Sequence, residues 1–260
     1  MGNNEFLKLG SKIIVSPKGL DYSLIPGKVY NLFYDGYNEQ AYLEEDGEIT
    51  LPKKVYQSEK DKLFVKRVIN YYKTTDKHTT GILLTGLKGS GKSLAAKNLS
   101  LLCGLPIVIV SPNYPASKLN DIFANIKTEC CVLFDECDKN ERWESNKMLT
   151  FLDGVQSTAK KLVIYTCNET CELSDFLMDR CSRIRYLRHY DGLNEDTITM
   201  ITESMLLDKS KVTEVSSYIF NKFITKSYDN IISFIEELNL LKDENLKLNE
   251  IVEDMNIDVK

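Results

Sequence analysis

Gly86-Leu87-Lys88-Gly89-Ser90-Gly91-Lys92-Ser93 satisfies the pattern G-x-x-x-x-G-K-[ST] at every fixed position. An apolar run, Ile82 to Thr85, leads into it, and Leu94 to Leu102 follows with helical spacing. Strand, glycine-rich turn and helix in that order make a cradle for an anion. The glycines let the backbone wrap a phosphate without Cβ clashes, and the free N–H groups at the helix start carry partial positive charge. Lys92 adds a full charge for the β- and γ-phosphates, and Ser93 offers a hydroxyl to Mg²⁺. A plain turn joining strand to helix is the alternative, and the ordered lysine, hydroxyl and helix speak against it. Gly86, Leu87, Lys88, Gly89, Ser90, Gly91, Lys92, Ser93 and Leu94 are therefore the expected ATP-binding segment.

Downstream, Cys130-Cys131-Val132-Leu133-Phe134 reads as another apolar strand, and it ends in Asp135-Glu136. Alternation along a strand points the two acids in different directions. Asp135 is placed to hold Mg²⁺ through its water shell; Glu136 can accept a proton from, or orient, the water that attacks the γ-phosphate. An acidic pair after a strand also serves as a helix N-cap, but downstream of an intact phosphate loop the catalytic reading is the better one.

Working outward, Ile82 to Thr85, Ile107 to Val110, Val132 to Phe134, Leu162 to Thr166 and Ile184 to Leu187 are short β-type runs alternating with helical stretches. Such alternation predicts an α/β fold of the P-loop NTPase kind, a mostly parallel sheet with flanking helices. Ser58 is placed to cap a helix carrying Phe64, Val68 and Tyr71, and this helix joins the sheet to what precedes it. Residues 1–57 read as a small β-rich module that leans on its neighbour or on another subunit. Asp46-Gly47 is its expected hairpin turn, between Ala41-Tyr42-Leu43 and Ile49-Thr50-Leu51. Residues 58–189 are the expected core. Residues 190–260 read as an all-α lid and tail, with stripes at Ile198, Ile201, Met205, at Val212, Val215, Ile219, Phe223, and at Ile231, Phe234, Ile235, Leu238.

Composition narrows the function classes. The chain has 260 residues, 43% hydrophobic and 27% charged, which suits a soluble globular protein rather than a disordered or fibrous one. The longest apolar run, Leu101 to Val110, contains Gly104 and Pro106 and is too short to span a bilayer, and Met1 to Lys12 has no apolar stretch for a secretory signal. A cytoplasmic protein with no membrane partner is expected. The net charge of −5 gives no general attraction to nucleic acid, which stays possible but is not favoured. The seven cysteines contain no C-x-x-C pair and read as buried reduced thiols.

Gly81-Ile82-Leu83-Leu84-Thr85 before the loop, Asp135-Glu136-Cys137-Asp138, Leu152-Asp153-Gly154, and a strand ending at Asn168 together resemble the AAA+ ATPases, and within them the AAA clade. The likeness covers about residues 60 to 240. It implies an ATPase in which Asn168 is the polar sensor of the γ-phosphate. It also implies that Arg180 and Arg183 are arginine fingers inserted into a neighbour's site. Of the six arginines, four (Arg180, Arg183, Arg185, Arg188) fall close together, and a planar, always-charged guanidinium suits a developing phosphoryl charge. Fingers acting in trans require a homo-oligomer, and the family implies a ring, usually a hexamer. Ser227-Tyr228-Asp229-Asn230-Ile231 resembles the clade's Ser-Gly-x-Asp-Ile/Leu stretch with Tyr228 in place of glycine, and no arginine follows Arg188 to act as a second sensor. One ATPase module with a short prefix resembles small phage-encoded members, which would place the chain in a host cytoplasm.

Tyr114, in Ser111-Pro112-Asn113-Tyr114-Pro115-Ala116, sits where protein-threading relatives put an aromatic pore residue; a tyrosine that simply packs on the surface is the equal alternative. Lys139 to Asn146, with Trp143, could form a second pore loop or anchor a helix. Three functions stand at this point. The first is a ring ATPase that remodels or threads a protein recruited through residues 1–57 and Tyr114. The second is a nucleic-acid motor, helicase or clamp loader. The third is a nucleotide-dependent assembly scaffold.

Overall fold

The computed structural model describes residues 6–9, 11–15, 23–52, 54–77, 79–137, 152, 159–168, 183–241 and 247–260. His78, Trp143 with its candidate loop, Asp153-Gly154, Cys171, Arg180 and Cys181 lie outside them. The described residues form two compact units, one drawn from Met1–Leu51, Val65–Thr85 and Ser93–Arg188, the other from Pro52–Phe64, Gly86–Lys92 and His189–Lys260.

The first unit is built on a sheet of β1 (Phe6–Leu9), β2 (Lys12–Val15), β3 (Lys28–Asp35), β4 (Gln40–Glu48), β5 (Thr79–Gly86), β6 (Ile107–Val110), β7 (Cys130–Phe134), β8 (Lys161–Cys167) and β9 (Ile184–Tyr190). Their order across the sheet is β1-β2-β4-β3-β6-β7-β8-β5-β9. The pairs β3·β6, β6·β7, β7·β8 and β8·β5 are parallel. β5, β7 and β8 are buried along their whole length, which explains why they read as unbroken apolar runs: parallel strands are covered on both faces. Each such aliphatic or aromatic side chain taken from water contributes about 1.5–3 kcal/mol. A helix, α1 (Glu59–Thr74), precedes β5; after β5 the chain runs through α2 (Lys92–Cys103) to β6, which lies three places away, and α3 (Leu119–Asn125) leads on towards β7, while β9 flanks β5 on its other side. A crevice at such a switch point, beyond the carboxyl ends of the strands, is where ligands bind in open α/β sheets.

β1 to β4 are antiparallel and continue this sheet through β3 and β6, so Ile13, Tyr30, Leu32 and Leu43 share one core with Leu83, Val108, Val132 and Tyr165. One turn differs from expectation. Asp46-Gly47 is not the hairpin turn; β4 runs straight through it, and the register jumps from Val29↔Gly47 to Tyr30↔Glu45, leaving Asp46 as the extra residue of a bulge. The turn is made by an earlier Asp-Gly pair, Asp35-Gly36, where the Asp35 carboxylate accepts the backbone N–H groups of Tyr37 and Asn38 at 3.0 and 3.2 Å. Those bonds and that from the Asn38 amide hold the Asp35 carboxyl below its ordinary range.

The cysteines read as buried reduced thiols, and among the described residues Cys130, Cys131, Cys137 and Cys167 are buried free thiols and Cys103 is partly so. Burial pushes the Cys130 thiol up to about 11, leaving it protonated and unreactive at neutral pH.

The second unit is helical, with α4 (Glu195–Met205), α5 (Val212–Lys222), α6 (Tyr228–Leu240) and α7 (Leu248–Glu253) around Ile198, Ile201, Ile219, Phe223, Phe234 and Ile235. The Asn194 and Ser227 side chains accept the N–H groups of Thr197 and Asn230, closing the first turns of α4 and α6. The tail is anchored, because Val259 pairs with Phe223 and the Lys260 N–H donates to the Lys222 carbonyl at 2.7 Å. No helix among the described residues is long and apolar enough to cross a membrane.

Candidate active site

The glycine-rich loop belongs to the helical unit. Gly86, Gly89 and Gly91 have φ of 122°, 72° and 94°, a left-handed backbone that a residue with a Cβ adopts only with strain. At Gly86 a Cβ would stand 2.1 Å from the Tyr190 carbonyl oxygen, whose partner is the Leu87 N–H at 3.0 Å. Lys92 is buried, and its ammonium donates to the carbonyls of Gly86 (2.8 Å) and Leu87 (2.6 Å), so the charge is held inside the loop. Ser90 Oγ is buried with no hydrogen-bond partner among the described residues. A phosphoryl group would satisfy this hydroxyl, so the loop fits a polyphosphate.

The start of α6 lies directly on this loop. The Tyr228 N–H donates to the Gly89 carbonyl at 3.1 Å, and its hydroxyl donates to the Tyr56 carbonyl at 2.5 Å. A Cβ on Gly91 would come within 3.1 Å of the Tyr228 ring, and one on Gly89 within 3.2 Å of the Asp229 carboxylate. Burial pushes the Tyr228 phenol up to about 12, so it remains a donor at physiological pH. Tyrosine in place of the clade's glycine thus ties the loop to the residues just before Ser58.

In the sheet unit, the hydroxyl of Ser93, next after the loop, donates to Asp135 Oδ1 at 2.8 Å. Asp135 follows β7 and Asn168 follows β8, and the registers Phe134↔Tyr165 and Thr85↔Cys167 bring these strand ends level. A hydroxyl and a carboxylate, both hard oxygen ligands, suit Mg²⁺ with water completing its shell. Glu136 has φ of 51°, unusual for a residue with a side chain. Its N–H donates to Thr166 Oγ1 at 2.8 Å, while the Thr166 hydroxyl donates to Asp135 Oδ1 at 2.5 Å. Thr166 was not expected here. Its only trace in the sequence is a hydroxyl within the apolar run Leu162 to Cys167.

Two other expectations meet their geometry here. Arg183 stands just before β9, and its carbonyl lies 2.1 Å from where a Cβ on Gly81 would be, so only glycine lets β5 come this close. Gly81 is five residues before Gly86, about 16 Å along an extended strand. The Arg183 main chain is therefore beside the opposite end of β5 from its own phosphate loop. Tyr114 is corrected: it is 1% exposed, its ring meets Tyr34 edge-on at 5.9 Å, and its hydroxyl donates to the Lys118 carbonyl at 3.4 Å. A ring in the core cannot grip a chain passing outside it.

Residues 82–189 match the ATPase family associated with various cellular activities (AAA). That stretch of the chain is similar to an AAA ATPase domain. Among its curated relatives, the ATP-dependent zinc metalloprotease FtsH 3 of Synechocystis sp. is 27% identical over 151 residues, 46% of this chain and 24% of the relative. The chloroplastic ATP-dependent zinc metalloprotease FTSH 5 of Arabidopsis thaliana is 28% identical over 148 residues, 45% of this chain and 21% of the relative. A chloroplastic FTSH of Nicotiana tabacum is similar to the same degree, 28% over 148 residues. The aligned part spans about a quarter or less of these relatives' own length. The phosphate loop lies near the start of the matched stretch and β9 at its end.

Proposed function

We propose that this AAA+ protein hydrolyses ATP as a homo-oligomeric ring and uses the energy to remodel or thread a protein. The observation that carries the ATPase reading is the 2.8 Å bond from Ser93, at the end of the phosphate loop, to Asp135 at the end of β7. Gly86 to Leu94 would bind the triphosphate, with Lys92 exchanging its loop carbonyls for β- and γ-phosphate oxygens. Ser93 and Asp135 would hold Mg²⁺, which when bound neutralises charge on the phosphoryl oxygens. Glu136 would accept the proton of the attacking water, and Asn168 would orient that water and the γ-phosphate.

Arg180 and Arg183 are proposed to complete the pocket of an adjoining copy. Support comes from the position of the Arg183 main chain at the far end of its own β5, since an arginine side chain reaches only about half of a 16 Å span. A hexamer is the ring size common among AAA+ proteins. Residues 1–57 remain the candidate for recruiting substrate or adaptor.

A protein substrate is favoured by the net charge of −5 and by the relatives' being named ATP-dependent proteases. The arginines from Arg183 to Arg188 would suit a nucleic-acid backbone, but they are partly engaged within the fold: the Arg185 guanidinium stacks 3.7 Å from the centre of the Tyr71 ring. The test is ATP turnover with added unfolded protein, compared with single-stranded and duplex DNA. Stimulation of several-fold by unfolded protein alone is expected. Stimulation by DNA alone would make the chain a nucleic-acid motor, and nucleotide-dependent assembly with no stimulation would make it a scaffold.

A further inference from the structure

We infer that Thr166 is a positioning residue of the ATPase centre, one hydroxyl that sets both the cation-holding carboxylate and the backbone of the catalytic glutamate. The inference rests on the ATPase reading above. Thr166 is the residue before the last of β8, fully buried, and the preceding Leu162, Val163, Ile164 and Tyr165 are all apolar or aromatic. A buried hydroxyl needs a partner, and a strand position of this kind is ordinarily filled by valine. Threonine here has two partners, both from the segment after β7.

A hydroxyl has one proton to give. Thr166 gives it to Asp135 Oδ1 at 2.5 Å, and its oxygen then accepts the Glu136 N–H at 2.8 Å, so the direction of both bonds is determined. The second bond bears on an uncommon backbone. Glu136 sits at φ 51°, which costs a non-glycine residue on the order of 1–2 kcal/mol and persists only where the surroundings impose it. The φ value sets where the Glu136 side chain leaves the main chain, and its N–H is held by the Thr166 oxygen. Immediately before the pair, Phe134 and Tyr165 stack with centroids 4.8 Å apart, so the two strand ends cannot slide past one another.

The first bond matters when the cation is bound. Without it, Asp135 Oδ1 accepts from both Ser93 (2.8 Å) and Thr166 (2.5 Å). A bound Mg²⁺ would take a lone pair of the Ser93 oxygen, whose O–H stays free to donate to Asp135, and the Thr166 hydroxyl would be the second donor that keeps the carboxylate aimed. Neither bond touches the phosphate loop's own backbone or Lys92, so the role separates from nucleotide affinity.

Thr166→Val removes the hydroxyl at nearly constant volume. Expected are a kcat lowered about 10- to 100-fold, a several-fold higher Mg²⁺ concentration for half-maximal rate, and an unchanged Kd for a fluorescent ATP analogue measured in EDTA. Thr166→Ser, which keeps the oxygen, is expected to restore kcat and the Mg²⁺ requirement to within a few-fold of the unaltered protein. Thr166→Ala carries the same expectation as valine should the added methyl disturb folding, with the urea midpoint recorded for each variant. Valine and alanine variants that turn over ATP like the unaltered protein would overturn the proposal, as would a serine variant as impaired as they are. An unaltered protein with no ATPase activity would instead remove the reading on which it rests.

Discussion

Glu136→Gln is expected to bind Mg²⁺-ATP as the unaltered protein does and to hydrolyse it about 10²–10⁴-fold more slowly. Glutamine keeps the shape and the backbone N–H that Thr166 accepts, so the left-handed turn at φ 51° remains. What is lost is the capacity to take a proton from the attacking water. Single-turnover hydrolysis, read beside equilibrium binding, separates the two effects. An unaltered rate would remove Glu136 as the base, whereas lost binding would mean that the substitution had disturbed the Asp135 end of the cluster. Because hydrolysis stalls with nucleotide in place, the same variant should retain bound client protein.

Lys92→Ala is expected to weaken ATP binding by about 10²–10⁴-fold, the loss of two charge-assisted bonds at about 1.5–3 kcal/mol each. The ammonium is buried and donates to the Gly86 and Leu87 carbonyls. Alanine therefore also leaves those acceptors short of a donor, and a lowered urea midpoint is expected alongside the lost affinity. Titration with a fluorescent ATP analogue checks the first effect and chemical denaturation the second. Affinity within a few-fold of the unaltered protein would contradict the assignment of the loop.

The readings that were local in sequence survive best in the fold. The strand before Gly86, the Asn194 and Ser227 caps and the buried runs of β7 and β8 each depend on neighbours within a few positions, or on a periodicity visible in one segment. Asp46-Gly47 misled because the same dipeptide serves a turn or a bulge; only pairing with Val29 and Tyr30 decides between them, and Asp35-Gly36 took the turn. Tyr114 misled because a place in a loop does not say where a ring points, and its partner Tyr34 belongs to β3, far earlier in the chain. Thr166 was invisible for the same reason. Its two partners follow a different strand about thirty residues away, and nothing in Leu162 to Cys167 says which hydroxyl faces them.

The most direct test of a pocket shared between copies is to mix two inactive variants. Arg180→Ala retains Glu136 and lacks a finger to lend, while Glu136→Gln retains the finger and lacks the base. Each alone should turn over ATP at least about 10²-fold more slowly than the unaltered protein. Mixed in equal amounts and allowed to exchange subunits, they should recover on the order of a quarter of the unaltered rate, the share of junctions where an intact Glu136 meets an intact Arg180 from the next copy. A mixture no faster than its components would contradict it.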